Sequence, residues 1–340
     1  MSGSMTTDVR GVLIACALTI SSGAYASEVG HYSGGAMNIR DYLVPAAGTY
    51  AALYNYYYTT DQLNDAHGGK VDSTTIDPPG GGPGVTLGVD VNVDLVAFSP
   101  TLMWVTNVES LGIKYGAVVT QTVVNTSLDA SLSTVTGRGG HTDSGTVGLG
   151  DLFVQPLWLG KTTEHWDFAL SYGFYAPTGK YDTETVTLPL IGPVRVESSD
   201  NIGSGYWTQQ LQTAVAWYPM AEQGTAVVAA LTYETNGKKQ HFDITPGDVV
   251  TLNWGVSQYL PLNEHFLLEV GPAAYDTWQV THDSGSAANG NLDEVHAVGG
   301  QLGVSYLPWN ASLNLVAYNE YAAKDRFEGA SIALNFAMKI

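Results

Sequence analysis

Between Val85 and Ala97 apolar and polar positions alternate. Val85, Leu87, Val89, Val91, Val93, Leu95 and Ala97 fall on one side, and Thr86, Gly88, Asp90, Asn92, Asp94 and Val96 on the other. Period two over this length is a β-strand with one apolar and one polar face. At about 3.3 Å per residue it is long for a globular strand and suits one tilted across a membrane. The pattern returns at Trp166, Phe168, Leu170, Tyr172 and Phe174, and at Leu252, Trp254 and Val256. It appears again at Val298, Leu302, Val304 and Tyr306, and most cleanly at Ile332, Leu334, Phe336, Met338 and Ile340. Strands are predicted over residues 49–58, 85–98, 115–126, 147–158, 165–176, 206–218, 225–235, 249–260, 265–278, 294–307, 310–322 and 329–340, about twelve in all.

The connections carry the topology. Those at 159–164, 219–224, 261–264 and 308–309 are short, while those at 59–84, 127–146, 177–205, 236–248 and 279–293 are long and rich in Gly, Asp, Ser and Thr. Alternating short turns and long loops mark an antiparallel barrel of the outer-membrane type, with turns on the periplasmic side and loops outside. A soluble sandwich also alternates, so the decision rests on strand length, rings near strand ends and scarcity of charge. Lys and Arg together number 13 in 340 residues, few for a wetted surface. Tyr54, Tyr56, Tyr57, Tyr58, Trp158, Trp166, Trp207, Trp217, Tyr218, Tyr259 and Trp309 lie near predicted strand ends, where interfacial girdles form. An open sheet edge is not tolerated in lipid, so the sheet is expected to close into an all-β, transmembrane antiparallel barrel.

Composition narrows the function. The formal charge of −19 argues against nucleic acid or an anionic bilayer surface as a partner. It suits an outer membrane where divalent cations bridge protein and lipopolysaccharide. Arg10, the apolar stretch 11–20 and Ala24-Tyr25-Ala26 read as a signal peptide over residues 1–26, cleaved before Ser27. Leu13-Ile14-Ala15-Cys16 loosely matches a lipoprotein box, but it stands too close to Arg10 for an export core. Cleavage after Ala26 removes Cys16, the sole cysteine, and with it disulfide, thiol and cysteine–metal chemistry. The scattered histidines form no recognisable metal set, so no cofactor is expected. Asp61, Asp65, Asp72 and Asp77 fit no standard calcium loop.

Several segments carry a family likeness. The start His31-Tyr32, Asn38-Ile39-Arg40-Asp41 and Pro45 leads into Tyr54-Asn55-Tyr56-Tyr57-Tyr58. Then come Gly148-Leu149-Gly150-Asp151, Gln155-Pro156, Tyr175-Ala176-Pro177-Thr178-Gly179-Lys180-Tyr181, Gly205-Tyr206-Trp207, Trp217-Tyr218-Pro219, Glu234-Thr235-Asn236 and Pro246-Gly247-Asp248. Together they resemble the outer-membrane channel family of meta-pathway phenol-degradation proteins, over nearly all of the chain after residue 26. The resemblance implies a monomeric twelve-stranded barrel whose N-terminal segment enters the lumen. It also implies uptake of small hydrophobic, often aromatic, molecules in Gram-negative bacteria. Asp77 to Gly84 and the terminal Ile340 depart from the usual pattern.

The expected organisation is a signal peptide, a segment at 27–48 that folds back into the lumen, and a barrel over 49–340. The alternative for 27–48 is a mobile periplasmic tail. Arg40 is expected to pair with an acid inside, Asp90 or Asp94 being candidates, because an unpaired buried charge is costly. Polar strand faces supply the expected channel lining: Asp90, Asn92, Asp94, Asp151, Gln155, Asp167, Ser171, Asn253, Ser257, Glu269 and Gln301. An acidic interior would disfavour anions. Pro100, Pro156 and Pro272 fall within or at the end of strands and each removes a ladder donor, giving kinks in the wall. One kink is a candidate side exit for an apolar solute, against the plainer reading of a tolerated bend.

Passive transport is the leading function. A structural or receptor barrel that transports nothing is the second. An enzyme is third: His141 and Ser144 share a loop and His165 and Asp167 a strand, but no G-x-S-x-G motif exists and no nucleophile–base pair can be placed.

Overall fold

The computed structural model describes residues 30–76, 85–108, 111–133, 139–188, 192–198, 201–286, 288 and 290–340. The predicted signal peptide, residues 27–29 and the whole Asp77–Gly84 insert lie outside the described residues. Twelve strands form one closed antiparallel barrel: β1 Gly48–Thr60, β3 Val85–Val108, β4 Ile113–Ser133, β5 Gly139–Thr162, β6 Trp166–Ala176, β9 Thr208–Trp217, β10 Thr225–Asn236, β11 Val249–Pro261, β12 Phe266–Gln279, β13 Glu294–Tyr306, β14 Ala311–Lys324 and β15 Ala330–Lys339. Short β2 (Ser73–Ile76) extends the sheet along β3, and β7 (Thr183–Leu188) pairs with β8 (Gly192–Glu197) as a separate hairpin. Closure comes from β1, which pairs with β15 on one side and β3 on the other.

The outward face is apolar because lipid is its solvent. Trp166, Phe168, Leu170 and Tyr172 on β6, Trp254 and Val256 on β11, and Ile332, Leu334 and Phe336 on β15 are all exposed. Their neighbours Ala169, Ser171, Asn253, Ser257, Ala333 and Asn335 are buried inside. Trp166, Trp217, Trp207, Trp309 and Tyr57 stand outward, as interfacial rings do. Trp158 and Tyr218 are buried inside, and Tyr54, Tyr56 and Tyr259 also serve the interior.

The strand that alternates first in the sequence is oriented opposite to expectation. Val96, Phe98, Leu102 and Trp104 are exposed outward, so Asp90, Asn92 and Asp94, of the same parity, also face out. Asp94 accepts a hydrogen bond from the outward Tyr57 hydroxyl at 2.6 Å. These three residues therefore do not line the lumen. At 24, 21 and 24 residues, β3, β4 and β5 are about twice as long as a bilayer crossing needs, so their outer faces continue from lipid into water. Val89 and Val91 turn inward beside Leu63 and Val71 of the preceding loop. Backbone parity is continuous along β3; the polarity it carries inverts where lipid gives way to water.

The strands also run further than the sequence pattern suggests. β3 continues through residues 99–108, and β4 and β5 extend so that residues 134–138 alone separate them. Alternation weakens there because the inner face carries a mixture of hydroxyls and apolar groups.

Candidate functional site

Residues 31–44 lie inside the barrel, and inward side chains from most of the wall hold them. At the upper end, His31 Nε2 is 2.9 Å from Asp151 Oδ2 and His31 Nδ1 is 2.7 Å from Thr208 Oγ1. The His31 ring stacks on Tyr175 and meets Tyr206 edge-on. Tyr32 N donates to Glu234, Gly35 N to Asn253 Oδ1 and Ile39 N to Gln301 Oε1. Asn335 Nδ2 donates to Ala36 O and to Asn38 Oδ1. A chain without regular structure needs such partners, since buried backbone groups left unpaired are costly.

The lower end is pinned at Arg40. Its Nε donates to Ser257 Oγ at 2.8 Å and lies 3.6 Å from Glu269 Oε1. Its terminal nitrogens donate to Gln223 O and Gly224 O in the turn after β9, and the guanidinium sits 3.8 Å from the Tyr259 ring centroid. The acid beside Arg40 is thus Glu269. Asp90 and Asp94, the partners expected from sequence, are excluded by their outward parity.

Apolar side chains of the segment fit notches in the wall. Ile39 and Val44 are 4% and 6% exposed. A Cβ at Gly160 would stand 2.6 Å from Val44, and one at Gly255 or Gly271 would stand 3.2 Å from Ile39. Glycine is required there by close approach.

The segment packs toward β10 through β15 and β1, leaving a void of about 340 Å³ against β3, β4, β5, β6 and β9. Thr101, Thr120, Phe153, Gln155, Trp158 and Gln210 are among its walls. Two hydroxyl pairs bridge β3 and β4: Ser99 with Thr122 at 2.9 Å and Thr101 with Thr120 at 2.8 Å.

The other sequence candidates are placed as follows. Asp151, Gln155, Ser171, Asn253, Ser257, Glu269 and Gln301 are all buried inward. Asp167 is inward and accepts from the Tyr218 hydroxyl at 2.7 Å. Two of the three prolines stand next to residues that border the void. Pro156 projects outward between inward Gln155 and Trp158, where β5 bulges against both neighbours. Pro100 lies between Ser99 and Thr101, where β3–β4 pairing skips from Phe98–Val123 to Thr101–Thr120. Pro272 interrupts β11–β12 pairing across the barrel, where Ile39 fills the interior. The sequence reading missed His31 as a wall contact, and also Glu234, Gln210 and the hydroxyl pairs.

No group of three or more His, Cys, Asp or Glu among the described residues is placed to hold a metal. Thr208, His31 and Asp151 form a hydroxyl–imidazole–carboxylate row, but Thr208 is fully buried and its hydroxyl donates to Asn236 Oδ1. The row is a tether. The side chains of His141 and Ser144 lie outside the described residues.

A closed twelve-stranded barrel with a lipid-facing apolar exterior and a filled, polar interior is the outer-membrane β-barrel fold. The chain belongs to the family described as putative MetA-pathway of phenol degradation, whose model matches residues 60–336. Its fold is similar to the COG4313 outer membrane channel from Pseudomonas putida F1, at TM-score 0.53 and 14% identity over 89% of this chain and 100% of that one. A more distant likeness is to the toluene transporter TodX of P. putida, at TM-score 0.42 and 10% identity over 94% and 99% of the two chains. A comparison with curated proteins finds no significant match.

Proposed function

We propose that the protein is a monomeric outer-membrane channel for passive uptake of small hydrophobic or aromatic molecules. It sits among outer-membrane lipid and lipopolysaccharide and needs no cofactor. The void beside the luminal segment is the observation that carries the reading: it offers space for a small molecule in a barrel otherwise packed with its own chain. The protein of known structure that its fold resembles at TM-score 0.53 is described as an outer membrane channel.

The void also bears on how a solute leaves. Gln155 and Trp158 border it from inside while Pro156 interrupts the wall between them. This bulge, bordered by the cavity and with its ladder locally broken, is the proposed exit of an apolar solute sideways into lipid. Pro156 is the favoured exit, since the interior at Pro272 is occupied by Ile39.

Uptake of toluene by vesicles containing the purified protein, compared with empty vesicles, tests the channel. Pro156→Val, which restores a ladder donor, is expected to slow uptake severalfold, and Pro272→Val to leave it unchanged. Equal uptake by both variants and the wild type removes the side exit. No uptake above empty vesicles favours the structural or receptor reading, which a filled lumen would also suit.

A further inference from the structure

We propose that Ile202 sets the size limit for entry to the luminal void from the outer side of the membrane. The proposal deepens the uptake reading and rests on it for its purpose, though the geometry stands without it.

With long loops outside and short turns on the periplasmic side, β3 and β5 descend from the outer surface and β4 rises to it. The outermost residue that each strand contributes therefore marks the outer end of the void: Leu95 on β3, Val124 on β4 and Gly150 on β5. Gly148, paired with Val124, carries the wall one step further out and offers no side chain. Ile202 fills that place, since a Cβ on Gly148 would stand 2.6 Å from Ile202 Cδ1. Leu95, Val124 and Ile202 thus make an apolar collar on the outer side of the Ser99–Thr122 and Thr101–Thr120 hydroxyl pairs.

Of these three, Ile202 alone is carried by a loop, yet its backbone is held in place. Ile202 N and Gly203 N both donate to Lys180 O, at 2.9 and 3.0 Å, and Ser204 N donates to Asp151 Oδ2 at 2.9 Å. Gly203 lies so close to Gly179 that a Cβ on it would stand 2.8 Å from that residue's backbone. Gly205 turns the chain back with a φ of +77°, the left-handed region that glycine enters freely. A branched apolar side chain is thereby fixed over the outer end of the void. Apolar constrictions admit a solute by its width and its readiness to leave water. Trimming or enlarging residue 202 changes that width without touching a strand of the wall.

The test places a thiol in the void with Thr122→Cys, using the full chain in lipid nanodiscs. The sole native cysteine, Cys16, lies in the predicted signal peptide, and the chain without Thr122→Cys supplies the blank. Labelling rates are read with a small probe, a methanethiosulfonate bearing a trimethylammonium group, and a bulky one, fluorescein maleimide. Ile202→Ala is expected to speed the small probe severalfold and to admit the bulky one. Ile202→Trp is expected to slow the small probe severalfold. Opposite shifts from one position do not arise from a folding defect. Val147→Ala, on the outward neighbour of Gly148, should leave the rate unchanged. Equal rates for Ile, Ala and Trp at position 202, or faster labelling in both variants, overturn the collar. Toluene uptake by vesicles separates the two readings. Labelling that follows residue 202 without any uptake removes the uptake reading and keeps the collar; uptake with labelling indifferent to residue 202 removes the collar and keeps uptake.

Discussion

His31 and Asp151 stand 120 positions apart in the chain, yet the imidazole Nε2 and the carboxylate Oδ2 are 2.9 Å apart. Asp151 also accepts from Gly179 N and Ser204 N, in the segment that joins β6 to β9. One carboxylate therefore ties the luminal segment to the wall and to an outer loop. His31→Ala removes the contacts to Asp151 and Thr208, a tether of about 2 kcal/mol. Single-channel recordings should show higher or more frequently fluctuating conductance. Traces identical to wild type would mean that the segment is held elsewhere.

Arg40 is the matching tie at the lower end. Arg40→Met would leave the buried Glu269 without its cation, at a cost of about 3 kcal/mol. The denaturant midpoint of the barrel in micelles should fall. Adding Glu269→Gln should recover part of the loss, because a neutral amide needs no counter-charge.

Gly160 is a packing notch. Gly160→Leu drives a side chain into Val44, whose Cβ a new Cβ would approach to 2.6 Å, and overpacking of this kind costs about 1–3 kcal/mol. Val44→Gly in the same chain should restore the melting temperature toward wild type. Additive losses in the double variant would show that the two do not touch.

Acid should loosen one pair of outer loops. Hydrogen bonds from Lys238 first, and then from Ser286, hold the Asp243 carboxyl down to about 2 from the usual 3.8. A depressed value stabilises the folded loops above the unfolded carboxyl's range, and the effect fades as pH falls through about 2. Exchange of the Ser286 amide proton should therefore speed up, relative to its neighbours, between about pH 4 and 2. Asp243→Asn should abolish that step.

Much of the barrel was legible in the sequence where one strand face meets lipid throughout. Trp166, Phe168, Leu170 and Tyr172 declare their side because the solvent beyond them never changes. The 85–97 run misled because its outer face leaves the bilayer: Asp94 faces water and Val96 lipid, although both point the same way. Bulges hid the interior of β5. Leu149 is exposed and Asp151 buried, two residues of equal parity, because the register with β4 shifts between them. No alternation rule survives such a slip. Arg40 signalled its need for an acid, but choosing Glu269 over Asp90 required the strand faces to be known first.

Gly48 opens the strand that closes the ring, and the residues just before it already occupy the interior. Once β1 has met both β3 and β15, those residues can leave only lengthwise through a mouth. The luminal segment touches strands from both halves of the chain, so its seating depends on the circumference of the ring. A cylinder of the wrong circumference would leave Ile39, Arg40 and His31 without their seats.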